Sequence, residues 1–196
     1  MRKKVDVRRE EILAAAVEQV RQRGLAATRV IDVAQALGVS KALVHYHFDS
    51  KEKLLAETFA YAAQRDLDSL AGAVSSGGTA LDRLWAVLDV YAPTGDASGW
   101  VLWIDGWAAA LRDDHLRSVV RDLDHRWKEA IAALIREGAA GEFGCADPDG
   151  ACLRITALLD GLAVQQVVRA GVPAERSKAW VESQVRRELG LPHPEA

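Results

Sequence analysis

Gly38 is the residue that most limits what this chain can become. It stands between two short runs whose apolar residues recur at helical spacing, one from Thr28 to about Leu37 and one from Ser40 to about Tyr46. A glycine can take the positive φ that a tight inter-helix turn needs, and Ala34, four residues earlier, offers the small side chain required where two helices cross closely. Val33, Leu37, Val39 and Val44 supply the apolar contacts that hold the pair at a steep angle. The pattern predicts a helix-turn-helix, whose first helix braces on a phosphate backbone while the second enters a major groove.

The second of these helices carries the cluster His45, Tyr46 and His47, with Lys41, Lys51 and Lys53 around it. Two histidines two residues apart on a helix are turned about 200° from each other, so they do not chelate one ion. A catalytic role lacks a partner, because the nearest acids, Asp49 and Glu52, follow the helix and no Ser or Cys elbow precedes them. A polar, aromatic rim among lysines fits hydrogen bonding to phosphates and base edges. The charge agrees: residues 1–55 hold eleven Lys/Arg against seven Asp/Glu, and residues 56–196 hold fourteen against twenty-one. A small basic module meeting a polyanion is therefore joined to a larger acidic one that does not.

Helical period and capping residues read through the rest of the chain. Val7 to Arg23 forms a first helix stopped by Gly24, and Ser50 caps a fourth that runs to about Leu70. The segment AGAVSSGGT, residues 71–79, reads as a linker. Helices follow from Ala80 to Ala92, from Trp100 to Arg112 after a break at Pro93, Gly95 and Gly99, from Asp113 to Gly138, from Pro148 to near Gly171, and from Pro173 to Leu189. About nine helices and no alternating strand pattern predict an all-α fold. With 49% hydrophobic residues, the chain has enough apolar mass for real cores. No apolar run long enough for a membrane span and no secretory segment occur, so a cytoplasmic protein without a membrane partner is expected. Cys145 and Cys152 have no paired spacing, and neither a metal nor another cofactor is expected.

GVSKALVHYHFDSKEKLL resembles the recognition helix and following helix of the tetracycline-repressor (TetR) family of bacterial regulators. Gly38, Val39, Ser40, Phe48, Ser50, Lys51, Leu54 and Leu55 carry the likeness, which extends over about the first 56 residues. His45 departs from a common tyrosine, and Arg29 stands where a small hydroxyl residue often caps helix 2, which shifts the expected cap to Thr28. The resemblance implies an N-terminal three-helix DNA-binding domain over residues 1–56 and a helical ligand-binding and dimerisation domain over residues 57–196. It implies phosphate contacts from Thr28, Ser40, Tyr46, His47 and Lys51, base contacts from Lys41, Ala42, Leu43 and His45, and a DNA contact from Arg29.

Five of the six tryptophans lie between residues 85 and 127, and Trp100, Trp103 and Trp107 fall on one helix face. They read either as core or as aromatic walls of a ligand pocket, which would suit a cation if Asp89 or Asp160 joins them. Tyr61, Trp85, Asp89, Trp103, Trp107 and Asp160 are the candidate pocket residues. This half is also similar, more loosely, to the choline and betaine regulators of the same family, through WVLWIDGWAAALRDDHLRSVVRDLDHRW, ALIREGAAGEF and ALLDGLAVQQ. That likeness implies a second copy of the chain paired through the last two helices, with Leu158, Leu159, Leu162, Val167, Trp180, Val181 and Val185 at the interface. The expected partners are thus a double-stranded, near-palindromic DNA operator, a second protomer and a small-molecule effector, with coupling through helix 4. A helical enzyme using Asp160 or His115, or an adaptor binding protein through its tryptophan face, are the alternatives; the enzyme lacks a nucleophile or metal constellation.

Overall fold

The computed structural model describes residues 2–93, 98–169 and 171–192. Among the described residues there are nine helices and no strand: α1 (Arg2–Arg23), α2 (Val30–Leu37), α3 (Lys41–His47), α4 (Lys51–Val74), α5 (Ala80–Tyr91), α6 (Ser98–Ala110), α7 (Asp114–Ala139), α8 (Pro148–Val167) and α9 (Ala174–Glu188). The helical period read from the sequence therefore gave the fold class and the element count. Of the break expected between α5 and α6, Gly95 lies outside the described residues.

The helices group into two compact units, and α4, α6 and α7 each contribute residues to both. The first unit comprises Met1–Arg65 and Leu102–Leu123, so its packing extends past residue 56. Its centre is Ile12, Leu13 and Ala16 of α1, Val33 and Ala34 of α2, Val44 of α3, then Phe48 and Leu54. Each large member buried in this way contributes about 1.5–3 kcal/mol relative to exposure. Gly38 takes φ +66° as expected, and the N–H groups of Gly38 and Val39 donate to the carbonyls of Gln35 at 3.1 Å and Ala34 at 2.9 Å, closing α2 and starting the turn. A second close approach lies farther along the chain. A Cβ at Gly106 of α6 would stand 2.4 Å from the Phe59 ring of α4, so only glycine lets these helices meet there.

The cap of α2 is not where the sequence put it. Arg29, in an extended conformation, is the N-cap, and its backbone N–H donates to Asp32 Oδ2 at 3.0 Å. Thr28 instead turns inward: it is fully buried and its hydroxyl donates to the Gly24 carbonyl at 2.7 Å. Ser40 and Ser50 do cap as their positions predict, accepting from the N–H of Leu43 at 3.2 Å and of Lys53 at 3.1 Å.

The second unit comprises Asp66–Val101 and Asp124–Ala196. Here α4 runs to Val74, four residues beyond its expected end, which shortens the linker. Ala73 is buried, so the last turn has a packing reason to form, and the carbonyls of Ala71 and Ala73 each accept from both the backbone N–H and the hydroxyl of Ser75 and Ser76 respectively. The start of α5 is doubly satisfied. Thr79 and Asp82 exchange side-chain-to-backbone bonds, and Glu142 accepts from the N–H groups of Ala80 at 2.8 Å and Leu81 at 3.0 Å.

Candidate nucleic-acid interface and effector site

Helix α3 is anchored by two residues one turn apart. Val44 and Phe48 are fully buried in the first unit's core, which turns the opposite side of the helix outward. Lys41, Ala42, His45 and Tyr46 are exposed, Tyr46 at 74%, while Leu43 and His47 are half-buried. The Tyr46 ring stands edge-on to His47 with centroids 5.3 Å apart, which gives the rim a fixed shape. Arg9 of α1 lies over the buried Phe48 ring at 4.5 Å and pairs with Glu57, so the cationic head of Arg9 is tied to the scaffold. Among the exposed cations, Lys53 is paired with Asp49 at 2.5 Å, and this ammonium holds the Asp49 carboxyl below the usual carboxylate range.

Thr28 and Lys51, both expected at phosphates, differ in the donors they leave for one. Thr28 is withdrawn, because its hydroxyl is buried and already bonded to Gly24. Lys51, at the start of α4, donates one hydrogen bond to the Ala26 carbonyl at 3.3 Å, which positions the ammonium beside the α1–α2 turn and leaves its remaining donors for an anion. Arg29, Ser40 and Lys41 are exposed.

In the second unit the chemistry gathers around a residue that the sequence did not single out. The Tyr91 hydroxyl of α5 donates to Asp160 Oδ1 of α8 at 2.8 Å. Its ring meets Trp100 of α6 and Trp127 of α7 edge-on, with centroids at 5.4 Å and 5.1 Å. Trp100 Nε1 donates to the Tyr91 carbonyl at 3.2 Å, so that indole is held in place. Burial pushes the Tyr91 hydroxyl well above its ordinary range, with the nearby Asp160 charge adding to it. Burial likewise raises the Asp160 carboxyl, against the Tyr91 hydrogen bond and the Lys128 charge, which lower it. Three aromatic rings set at steep angles beside a partly desolvated carboxylate form a setting in which an organic cation gains more than it does in water.

The candidate pocket residues are distributed over both compact units. Asp160 belongs to the Tyr91 cluster. Trp103 and Trp107 lie in the first unit, their ring centroids 6.5 Å apart, with Trp103 edge-on to Phe59 at 5.2 Å. Tyr61, also of the first unit, is exposed at 43%. Trp85 and Asp89 line a groove against α9. Trp85 and Tyr91 stand six positions apart on α5, which turns them about 120° from each other. The signal that would have found Tyr91 is its place on the buried side of α5, with Leu84, Val87 and Leu88.

The expected dimer residues also divide. Leu159, Leu162, Val181 and Val185 are buried within the protomer's own second unit, so they are core residues and not available to a second copy. They are the inward side of α8 and α9. Leu158 and Val167 are half-buried and Trp180 is exposed at 47%. The outward stripe of α8 instead runs through Leu153, Ala157, Gly161, Val164 and Val168, at helical spacing of four and three, with Leu153 and Val168 exposed at 57% and 61%.

Among the described residues, no group of three His, Cys, Asp or Glu side chains is placed to hold a metal ion, and no helix is long and apolar enough to cross a membrane. Cys152 is buried, which pushes its thiol up to about 11, and its Sγ lies 3.3 Å from the Lys128 carbonyl.

Comparison with known proteins agrees with both halves. Residues 12–58 match the family described as bacterial regulatory proteins, tetR family, and residues 80–190 match the one described as BetI-type transcriptional repressor, C-terminal. The chain is 26% identical over 190 residues to the HTH-type transcriptional regulator BetI of Rhizobium meliloti, covering 93% of this chain and 90% of that one. It is 25% identical over 193 residues to its counterpart in Brucella suis, covering 96% of each. Among solved structures, a transcriptional regulator from Saccharomonospora viridis in complex with choline is 27% identical with a TM-score of 0.82, over 94% of this chain and 98% of that one. A TetR-family regulator from Rhodococcus is also 27% identical, with a TM-score of 0.78, over 93% and 98%. These relatives are named transcriptional regulators and not enzymes.

Proposed function

Because this chain belongs to the TetR family of bacterial regulatory proteins, with a C-terminal half of the BetI type, we propose that it works as a homodimeric repressor released from a near-palindromic operator by a small organic cation. The observation that carries the DNA reading is the disposition of α3, whose Val44 and Phe48 are locked in a core while Lys41, Ala42, His45 and Tyr46 face outward. Lys41, Ala42, Leu43 and His45 are the proposed base-reading residues, and Arg29, Ser40, Tyr46, His47 and Lys51 the proposed phosphate contacts. The functional division is proposed at residue 56, with DNA contacts before it and effector and dimer contacts after it.

The effector reading rests on Tyr91, Trp100, Trp127 and Asp160. Aromatic rings with a neighbouring carboxylate suit a quaternary or alkyl ammonium, and the S. viridis regulator carries choline. Pairing of protomers is supported by the outward apolar stripe of α8, through Leu153, Val164 and Val168, together with Leu158, Val167 and Trp180 beside it, since a lone protomer leaves this surface in water. A ligand releases DNA only to the extent that it binds the two conformations unequally, and α4 and α6 are the proposed carriers because each contributes residues to both compact units.

Selection of genomic DNA fragments by the purified protein, followed by titration of choline into the selected complex, tests the reading. Enrichment of an inverted repeat and release of the DNA by choline, but not by an uncharged alcohol of the same size, is the expected result. Failure to enrich any sequence counts against it and favours the adaptor alternative.

A further inference from the structure

A groove of about 280 Å³ runs between α5 and α9, bounded by Trp85, Leu88 and Asp89 on one wall and Lys178, Val181 and Glu182 on the other. It is separate from the Tyr91 cluster, which faces another side of α5. The floor is apolar, since Leu88 and Val181 are buried, and Trp85 is half-buried above it. Its size lies at the small end for ligand sites, which limits the occupant to a compact molecule.

The charges around it are of two kinds. Glu182 and Arg186 satisfy each other at 3.0 Å, and Arg186 also donates to the Pro192 carbonyl at 2.9 Å, so that pair is internally neutral. Asp89 and Lys178, one on each wall, make no ion pair or hydrogen bond among the described residues. An occupant that covers them removes water from both, and a charge desolvated without a partner is costly. A cation satisfies Asp89 and strands Lys178, and an anion does the reverse. A molecule carrying one charge of each sign leaves neither stranded.

We propose that this groove is a second ligand site, for a small zwitterion whose ammonium end lies against the Trp85 indole and Asp89 and whose carboxylate end reaches Lys178. The indole adds cation–π attraction at the ammonium end, and the apolar floor takes the carbon stem. An occupant would bridge α5 and α9.

The test is calorimetric titration of the full chain with 6-aminohexanoate, hexylammonium and hexanoate, three probes that share a six-carbon stem. On the wild type, 6-aminohexanoate should bind about tenfold tighter than either singly charged probe. Lys178→Ala should erase its advantage over hexylammonium, and Asp89→Asn its advantage over hexanoate, while Trp85→Leu weakens only the two probes that carry an ammonium. Both charged positions are exposed, and unchanged circular-dichroism melting of each variant verifies that it has folded. In Asp160→Asn, which disables the Tyr91 cluster and any hexylammonium binding there, 6-aminohexanoate should keep its advantage over both singly charged probes, so a failed effector reading is told apart from a failed second site. No measurable binding of 6-aminohexanoate at millimolar concentration, equal affinities for the three probes, or an advantage that survives in both charge variants would overturn the proposal.

Discussion

Asp105 Oδ2 of α6 accepts a hydrogen bond from the backbone N–H of Leu25 at 2.5 Å, immediately after Gly24 ends α1 with φ +80°. Leu25 is almost fully buried, so this N–H depends on the carboxylate for its partner. A residue of the C-terminal half thereby holds the turn from which α2 and α3 depart.

Removing that acceptor isolates its contribution. Asp105→Ala strands the Leu25 N–H and should lower unfolding stability by about 1–3 kcal/mol, while Asp105→Asn, which keeps an acceptor oxygen, should lose less. Chemical denaturation of the three proteins measures it. Equal stability of Asp105→Ala and wild type would mean that the bond is incidental.

The DNA face divides into groups that read bases and groups that hold phosphate. Lys51→Ala should weaken binding to all duplexes alike and reduce the slope of log affinity against log salt by about 1, whereas Lys41→Ala should change which sequence is preferred. Anisotropy titrations on the selected operator and on a scrambled duplex at several salt concentrations separate the two. Identical losses on both duplexes for both variants would remove the distinction.

Asp160 gives the effector site a pH signature. Its ordinary value is 3.8, and burial raises it in the folded chain. As pH rises from the first value to the raised one, the unfolded chain releases its proton before the folded chain does, so stability falls across that window and stays lower above it. A bound cation requires the ionised carboxylate, so choline affinity should increase over the same window. Asp160→Asn should melt at a higher temperature than wild type at neutral pH, lose the pH dependence and bind choline about tenfold or more weakly. Thermal melts and titrations at a series of pH values report both effects, and a variant that still binds choline fully would exclude Asp160 from the site.

The two sides of α8 should respond in opposite ways to substitution. Leu159→Ala, at a fully buried position, should lower stability by about 2–5 kcal/mol. Leu153→Glu, on the exposed stripe, should leave the protomer folded but dissociate the dimer. Sedimentation with melting on each variant reads both outcomes; a wild type that is monomeric at micromolar concentration would contradict the interface.

How much of this was legible in the sequence depends on how local the cause is. Gly38, Ser40 and Ser50 punctuate helices through their own side chains and backbone, and the structure gives them those roles. Thr28 was misread because a hydroxyl can serve either a following N–H or a preceding carbonyl, and the burial that decides between them is tertiary. The same limit split the dimer residues. Periodicity found apolar positions on α8 and α9, but only the packed fold tells that Leu159 and Val185 face inward while Leu153 and Val168 face out. Tyr91 escaped notice because its partners, Trp100, Trp127 and Asp160, come from three other helices and no spacing links them. Charge asymmetry and the α3 rim pointed to DNA because both lie within one short segment.

The measurement that bears most directly on the whole account is sedimentation of the protein with a duplex obtained by genomic selection, at low salt and again at physiological salt. Two protomers per duplex, with affinity falling steeply as salt rises and lost when Lys41 and Lys51 are both alanine, is the predicted result. A chain that sediments as a single protomer and leaves every duplex free at low salt would contradict it.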